Sequence, residues 1–323
     1  MGYAAHMIPA VVHPRAPDCP PPTVPGWAVP RGPVPSDAEA AFLAGSALNS
    51  LDNLVRSDPP WAGAWRQRLA LKCAATAVSV VGRTEDEAAL RDAWHLRQPG
   101  DDPGPAGNIL AAWKRLADRS PGIDLETLRS TASLLGLRWG EELAPLVDRV
   151  DDLARSGSPA PFAAAMIAGD VQVLRPDAGL LGWWLADQVL ALRLRWPLPA
   201  PILVAQARSG AFRAEGGRGR IRPGGEGFQR AVCVALAQAA VEACRLAGDL
   251  AGRAARLEAV APKLRAKGAG EAIRLLLEED AVPGTLQTTR LSRWGARRLF
   301  ERLEALGAVR ELSGRPAFRL YGL

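Results

Sequence analysis

The chain has 323 residues, of which 48 % are hydrophobic and 23 % charged, so it can bury one large core or two smaller ones and is not a disordered polymer. Forty Lys and Arg against 34 Asp and Glu leave a net charge of +6. Four cysteines without CxxC spacing (Cys19, Cys73, Cys233, Cys244) and three histidines (His6, His13, His95) argue against a disulfide framework or a zinc site, and neither metal nor cofactor is expected.

The N-terminus lacks a basic start followed by a long apolar core, so it does not read as a secretory signal. Residues 1–35 hold much of the proline, including Pro20-Pro21-Pro22, and predict a strap or tail lying on the surface, with Trp27 as an anchor. From Ser36 the hydrophobic period becomes helical, and residues 36–267 read as a helical domain. Ser36 with Glu39 makes a capping box ahead of Phe42, Leu48, Leu51 and Leu54. Asp58-Pro59-Pro60 ends that helix and starts another through Trp61, Trp65, Cys73 and Val78. Thr84 with Glu87 predicts a third helix reaching about Leu96, followed by a loop over 97–107. Helices are predicted at about 106–118, 124–136 and 141–156, with a break at Ser156 to Pro159. Residues 176–196 read as a central buried helix, 201–208 as a short one and 228–260 as a long one. Asp187, Arg193 and Arg195 interrupt the most hydrophobic of these, so no membrane span is expected and the expected location is the cytoplasm.

Between the last two helices runs Arg213 to Arg222, where glycines alternate with Arg218, Arg220 and Arg222. Guanidinium groups and backbone amides there could contact phosphate or nucleic acid, but the spacing is neither a P-loop nor a dinucleotide fingerprint, and a connector is the plainer reading. Lys263, Arg265 and Lys267 read as a solvated helix face.

Residues 268–323 read as a separate winged-helix-like domain with one small β-hairpin, closing a fold that is otherwise mainly α with a multi-helix body. Its first helix is expected at Glu271 to Asp280; Pro283-Gly284 and the threonines that follow shorten or remove the next. A further helix starts at Ser292 and stops at Gly307. Strands at Val309 to Leu312 and Ala317 to Tyr321 then flank Ser313-Gly314-Arg315-Pro316. At 100° per residue Ala296, Leu299, Phe300, Leu303 and Leu306 form the core-facing stripe, while Arg293, Trp294, Arg297, Arg298, Glu301 and Glu304 share the opposite side, the arginines in its N-terminal half. From Gly284 onward there are eight arginines against three glutamates, a net of +5, so nearly all the excess charge of the chain sits here.

The stretches VPGWAVPRG, RTEDEAALRDA, GDDPGPAG, GGRGRIRPG, AVAPKLRAKGA and the whole terminal run from Leu291 resemble a bacterial family, domain of unknown function 1403, found mainly in rhizobia and related alphaproteobacteria and often on their plasmids. The resemblance spans the chain and brings no catalytic or binding residue with it. The terminal run is also similar to the helix-turn-helix ending of a second rhizobial family, domain of unknown function 1612, which implies a portable DNA-binding ending.

The expected partner is therefore double-stranded DNA, contacted by Arg290, Arg293, Trp294, Arg297, Arg298 and Arg315, in a regulatory or plasmid-associated role. Trp294 is expected to pack on the protein rather than stack on something outside it. An adaptor that binds a protein partner is the alternative. An enzyme is the least favoured reading, since it would have to gather Asp92, His95 and Asp101 or Asp102 in one pocket. No coiled-coil heptads indicate an oligomeric state.

Overall fold

A computed structural model describes residues 20–97, 100–214, 219–264 and 266–323. Cys19, the two N-terminal histidines, Arg218, Arg265 and most of the N-terminal tail therefore lie outside the described residues. The protein is mainly helical, with one small antiparallel sheet.

Helix α1 (Asp37–Ser57) starts as its capping box requires, with Ser36 Oγ accepting from the Glu39 N–H at 3.2 Å. It ends at Asp58, held at φ 37° ahead of two prolines. Helix α2 (Ala62–Val80) follows directly. Helix α3 (Glu87–His95) is capped by Asp86, which accepts from Ala89 N–H at 2.8 Å, and not by Thr84. Asp86 also sits three residues before a free amide, and it excludes the two upstream residues from the helix.

Helix α4 (Gly104–Asp118) begins two residues earlier than predicted, within the expected loop, with Pro105 in its first turn. Helices α5 (Leu125–Leu134) and α6 (Leu146–Arg155) fall within their predicted spans, though Pro145 delays the start of α6. Helix α7 (Ala160–Leu174), for which the sequence pattern offers no prediction, is built largely from alanine and small apolar residues. Because most of its circumference is buried, it has no polar side to generate a period. It packs along α8 (Gly179–Leu194), the central buried helix. The helix predicted over 201–208 is a single 3-10 turn, Val204–Gln206, after two residues whose amides are taken by a carboxylate of α8.

Helix α9 (Phe228–Val260) packs along α1 and is long and apolar enough to cross a bilayer by length and composition, but 72 % of its apolar 18-residue window is buried inside the protein. Buried tryptophans lock the helices by their indole N–H: Trp65 of α2 donates to Ala243 O of α9 at 3.0 Å, and Trp184 of α8 donates to Ala112 O of α4 at 3.0 Å. Along the surface, the described part of the proline-rich segment is held at both ends, by Ser50 Oγ donating to Thr23 O and by Arg230 donating to Pro35 O.

The terminal segment runs α10 (Ala269–Glu278), β1 (Val282–Pro283), α11 (Arg293–Ala305), β2 (Arg310–Glu311) and β3 (Leu320–Gly322). Strand β3 lies in the middle, with Leu320 and Tyr321 opposite Pro283 and Val282, and with Tyr321 and Gly322 opposite Glu311 and Arg310. The sheet thus has a third strand beyond the expected hairpin, contributed by residues the sequence pattern reads only as a helix breaker. Its apolar side chains, with those of α10 and α11, belong to the same hydrophobic cluster as the body.

Candidate nucleic-acid interface

The terminal segment is fastened to the body through its inner side. Asp280, buried just after α10, accepts from Arg91 Nε of α3 at 2.6 Å and is ion-paired with Arg68 of α2, whose other nitrogen reaches the Asp280 carbonyl at 3.1 Å. Burial alone would raise this carboxyl, and the two guanidinium groups outweigh it and hold it below the usual carboxylate range. Nearby, Lys114 of α4 pairs with Glu279 at 3.0 Å, and Arg253 of α9 donates to the carbonyl of Leu323. Gly63 of α2 lies so close to α10 that a Cβ there would stand 2.7 Å from Glu278 Cα.

With the inner side committed, the outer side of α11 is left to solvent. Ser292 caps it by accepting from Gly295 N–H at 3.2 Å, and Gly307 at φ 65° ends it. Ala296, Leu299, Phe300 and Leu303 are buried, as the wheel requires, and Leu306 at the end of the stripe is half-buried, while Arg293, Trp294, Arg297 and Arg298 are exposed. Arg297 pairs with Glu301 one turn later at 3.0 Å, an exposed contact of small energy that solvent competes with. Among the described residues, Arg290, Arg293 and Arg298 have no carboxylate within ion-pair reach. Contrary to expectation, Trp294 does not pack on the protein and is 72 % exposed. The segment meets the body through α10 and the chain end, and the buried stripe of α11 belongs to the same hydrophobic cluster, which leaves Trp294 on the opposite side of the helix.

The loop between β2 and β3 is built on Glu311, whose carboxylate accepts from the amides of Ser313 at 2.7 Å and Gly314 at 2.8 Å and from the Ser313 hydroxyl. At its tip, Arg315 is ion-paired with Asp92 of α3, so this arginine is tied to the body while remaining partly exposed. Further on, Phe318 is held at φ 55°, a backbone region that costs a bulky residue about 1–3 kcal/mol, and its ring is 63 % exposed. Between this loop and α11 lies a cleft of about 380 Å³ lined by Trp294, Phe318, Tyr321, Arg293, Arg297 and Arg319 among others. Phe318, Tyr321 and Gly284 carry no motif in the sequence; only the fold brings them to the arginine face.

The glycine-rich loop is elsewhere. Arg220 donates to the carbonyls of Ala207 at 2.5 Å and Ser209 at 3.0 Å and so holds a turn together, whereas Arg222 is exposed. This loop leads into the first turn of α9, and the terminal segment meets α9 at Arg253, about 37 Å further along at roughly 1.5 Å per residue. The two basic regions do not form one patch. Nor do the acids near α3 gather: Asp92 is taken by Arg315, Asp102 accepts from Gly104 N–H and Asn108 at the start of α4, and burial with Lys114 nearby pushes the His95 imidazole down to about 4. Among the described residues no cluster of His, Cys, Asp or Glu could hold a metal ion.

Over residues 16–323 the sequence matches the family model described as protein of unknown function (DUF1403). The chain belongs to that family. No curated protein matches it. The match covers the helical body and the terminal segment alike, so in this DUF1403 chain the basic face is part of the family domain and not an appendage to it.

Proposed function

We propose that the protein binds double-stranded DNA through the exposed face of α11, with Arg293, Arg297 and Arg298 contacting phosphates or base edges and Arg290 flanking them. The observation that carries this reading is an open helix face whose arginines lie in its first two turns, where the helix dipole also favours phosphate. The order helix, strand, helix, strand, strand, with β3 central, supports reading the segment as winged-helix-like, in which the turn over 284–291 stands where a middle helix would be. The similarity of the terminal run to a helix-turn-helix ending supports it too. Arg315, paired with Asp92, would serve mainly to hold the loop beside the DNA.

The test is fluorescence anisotropy of full-length protein on a mixed-sequence duplex across a salt series, beside the triple variant Arg293→Ala, Arg297→Ala, Arg298→Ala. Three lost phosphate contacts should flatten the log–log salt slope by about 2–3. Equal affinity and equal slope in the variant would sink the assignment. The alternative, an adaptor for a protein partner, draws on the exposed stacked pair Trp27 and Phe42. It takes over if the folded chain binds no duplex at low salt.

A further inference from the structure

The cleft beside α11 offers more than a phosphate-binding face needs. Trp294 and Phe318 both line it, both are mostly exposed, and neither makes a ring contact with another aromatic among the described residues. Placing Phe318 there requires an unfavourable left-handed backbone for a bulky residue. The floor is rigid: Tyr321 stacks on Phe300 with ring centroids 5.0 Å apart and planes within 5°. Gly284 backs the same floor, because a Cβ at that position would stand 2.9 Å from the Tyr321 ring. Around the rim stand Arg293, Arg297 and Arg319, with Glu301 as the sole acid, already paired with Arg297.

Two unpartnered ring faces surrounded by guanidinium groups fit a planar ring that carries negative charge. In a paired duplex the bases present only their edges, so ring faces of this kind have nothing to stack on. An unpaired nucleotide supplies both parts, a base to lie against the aromatics and a phosphate for the arginines. We infer that the cleft bounded by Trp294, Phe318 and Tyr321 takes one unpaired nucleotide of a DNA strand, so that the protein prefers a duplex with a single-stranded overhang or an extruded base over a fully paired one. This rests on the DNA-binding reading above and specifies the form of DNA.

The experiment compares full-length protein on three probes: a blunt duplex, the same duplex with a short single-stranded overhang, and free deoxyadenosine monophosphate. The wild type should bind the overhang probe roughly 10-fold more tightly than the blunt one, as expected for one stacked base. In Phe318→Ala and Trp294→Ala that ratio should fall to about one, and Trp294→Phe, which keeps a ring, should restore most of it. Both side chains are exposed, and circular dichroism verifies that the variants are folded. A ratio near one in the wild type, with salt-dependent binding of the blunt duplex intact, overturns this inference and leaves the duplex reading standing. Equal ratios in wild type and both alanine variants overturn it as well. Absence of binding to either duplex at low salt overturns both readings, and free nucleotide binding more tightly than the overhang probe assigns the cleft to a mononucleotide instead.

Discussion

Two buried carboxyl groups show how far residue chemistry depends on what the fold brings near. Asp280 and Asp187 are 5 % and 1 % exposed. Asp280 meets two arginines and stays below its ordinary range, so its contribution to stability is present above about pH 4 and is lost as the pH falls through its folded value. Asp187, in the middle of α8, accepts from the amides of Ile202 and Leu203, each at 3.2 Å, with no cation paired to it among the described residues, and burial pushes its carboxyl up to about 8. The sign is then reversed. Between about pH 4 and about pH 8 the folded chain holds a proton that the unfolded chain has released, and stability falls by about 1.4 kcal/mol per pH unit from this group. Asp187→Asn carries no charge, and it keeps an oxygen for one of the two amides only, since Ile202 N–H donates to Oδ2 and Leu203 N–H to Oδ1. Its urea-unfolding free energy should lose that decline, so that the difference between variant and wild type moves in the variant's favour from pH 5 to pH 8; parallel curves would mean that Asp187 is ionised in the fold.

At the scale of elements, close approach decides more than propensity does. Gly63 sits in the first turn of α2, where alanine would be the better helix former, yet an added Cβ would stand 2.7 Å from Glu278 Cα and 2.9 Å from its carbonyl. Since both obstacles are backbone, α10 would have to move. Gly63→Ala should therefore destabilise the protein by about 1–3 kcal/mol, read from the urea midpoint, in spite of the gain in helix propensity. Unchanged stability would show that α10 shifts freely. Such contacts also explain which elements were legible in sequence. Helices α1, α8 and α11 announce themselves through caps or apolar runs, but α7 is buried around most of its circumference and has no polar face to reveal its period. Strand β1 is two residues long, one of them proline, and exists only because β3 comes to lie beside it.

For the molecule as a whole, the hydrophobic cluster runs without interruption from the body into the terminal segment: Leu276, Val282, Leu299, Phe300, Leu303, Tyr321 and Leu323 belong with Trp65, Trp113 and Trp184. A chain ending after Val282 would uncover Ala272 and Leu276 and remove the carbonyl partner of Arg253. It should lose a single cooperative thermal transition or melt well below the full chain. A truncated protein with wild-type melting would mark the terminal segment as an independent unit. Point variants on the exposed face are for this reason the cleaner test of DNA contact.

Patterns carried within the sequence were enough to specify the mostly helical class, the capping of α1 and α11, and the division of α11 into a buried stripe and an arginine face. Each depends on neighbours within one or two turns, where period and capping chemistry act. The separation of the glycine-rich loop from α11, the exposure of Trp294, the pairing of Arg315 with Asp92 and the cleft that joins Phe318 to the arginines were decided by tertiary structure. They depend on which surfaces the helices bury against one another, and that is a relation between residues more than 200 positions apart, as with Asp280 and Arg68.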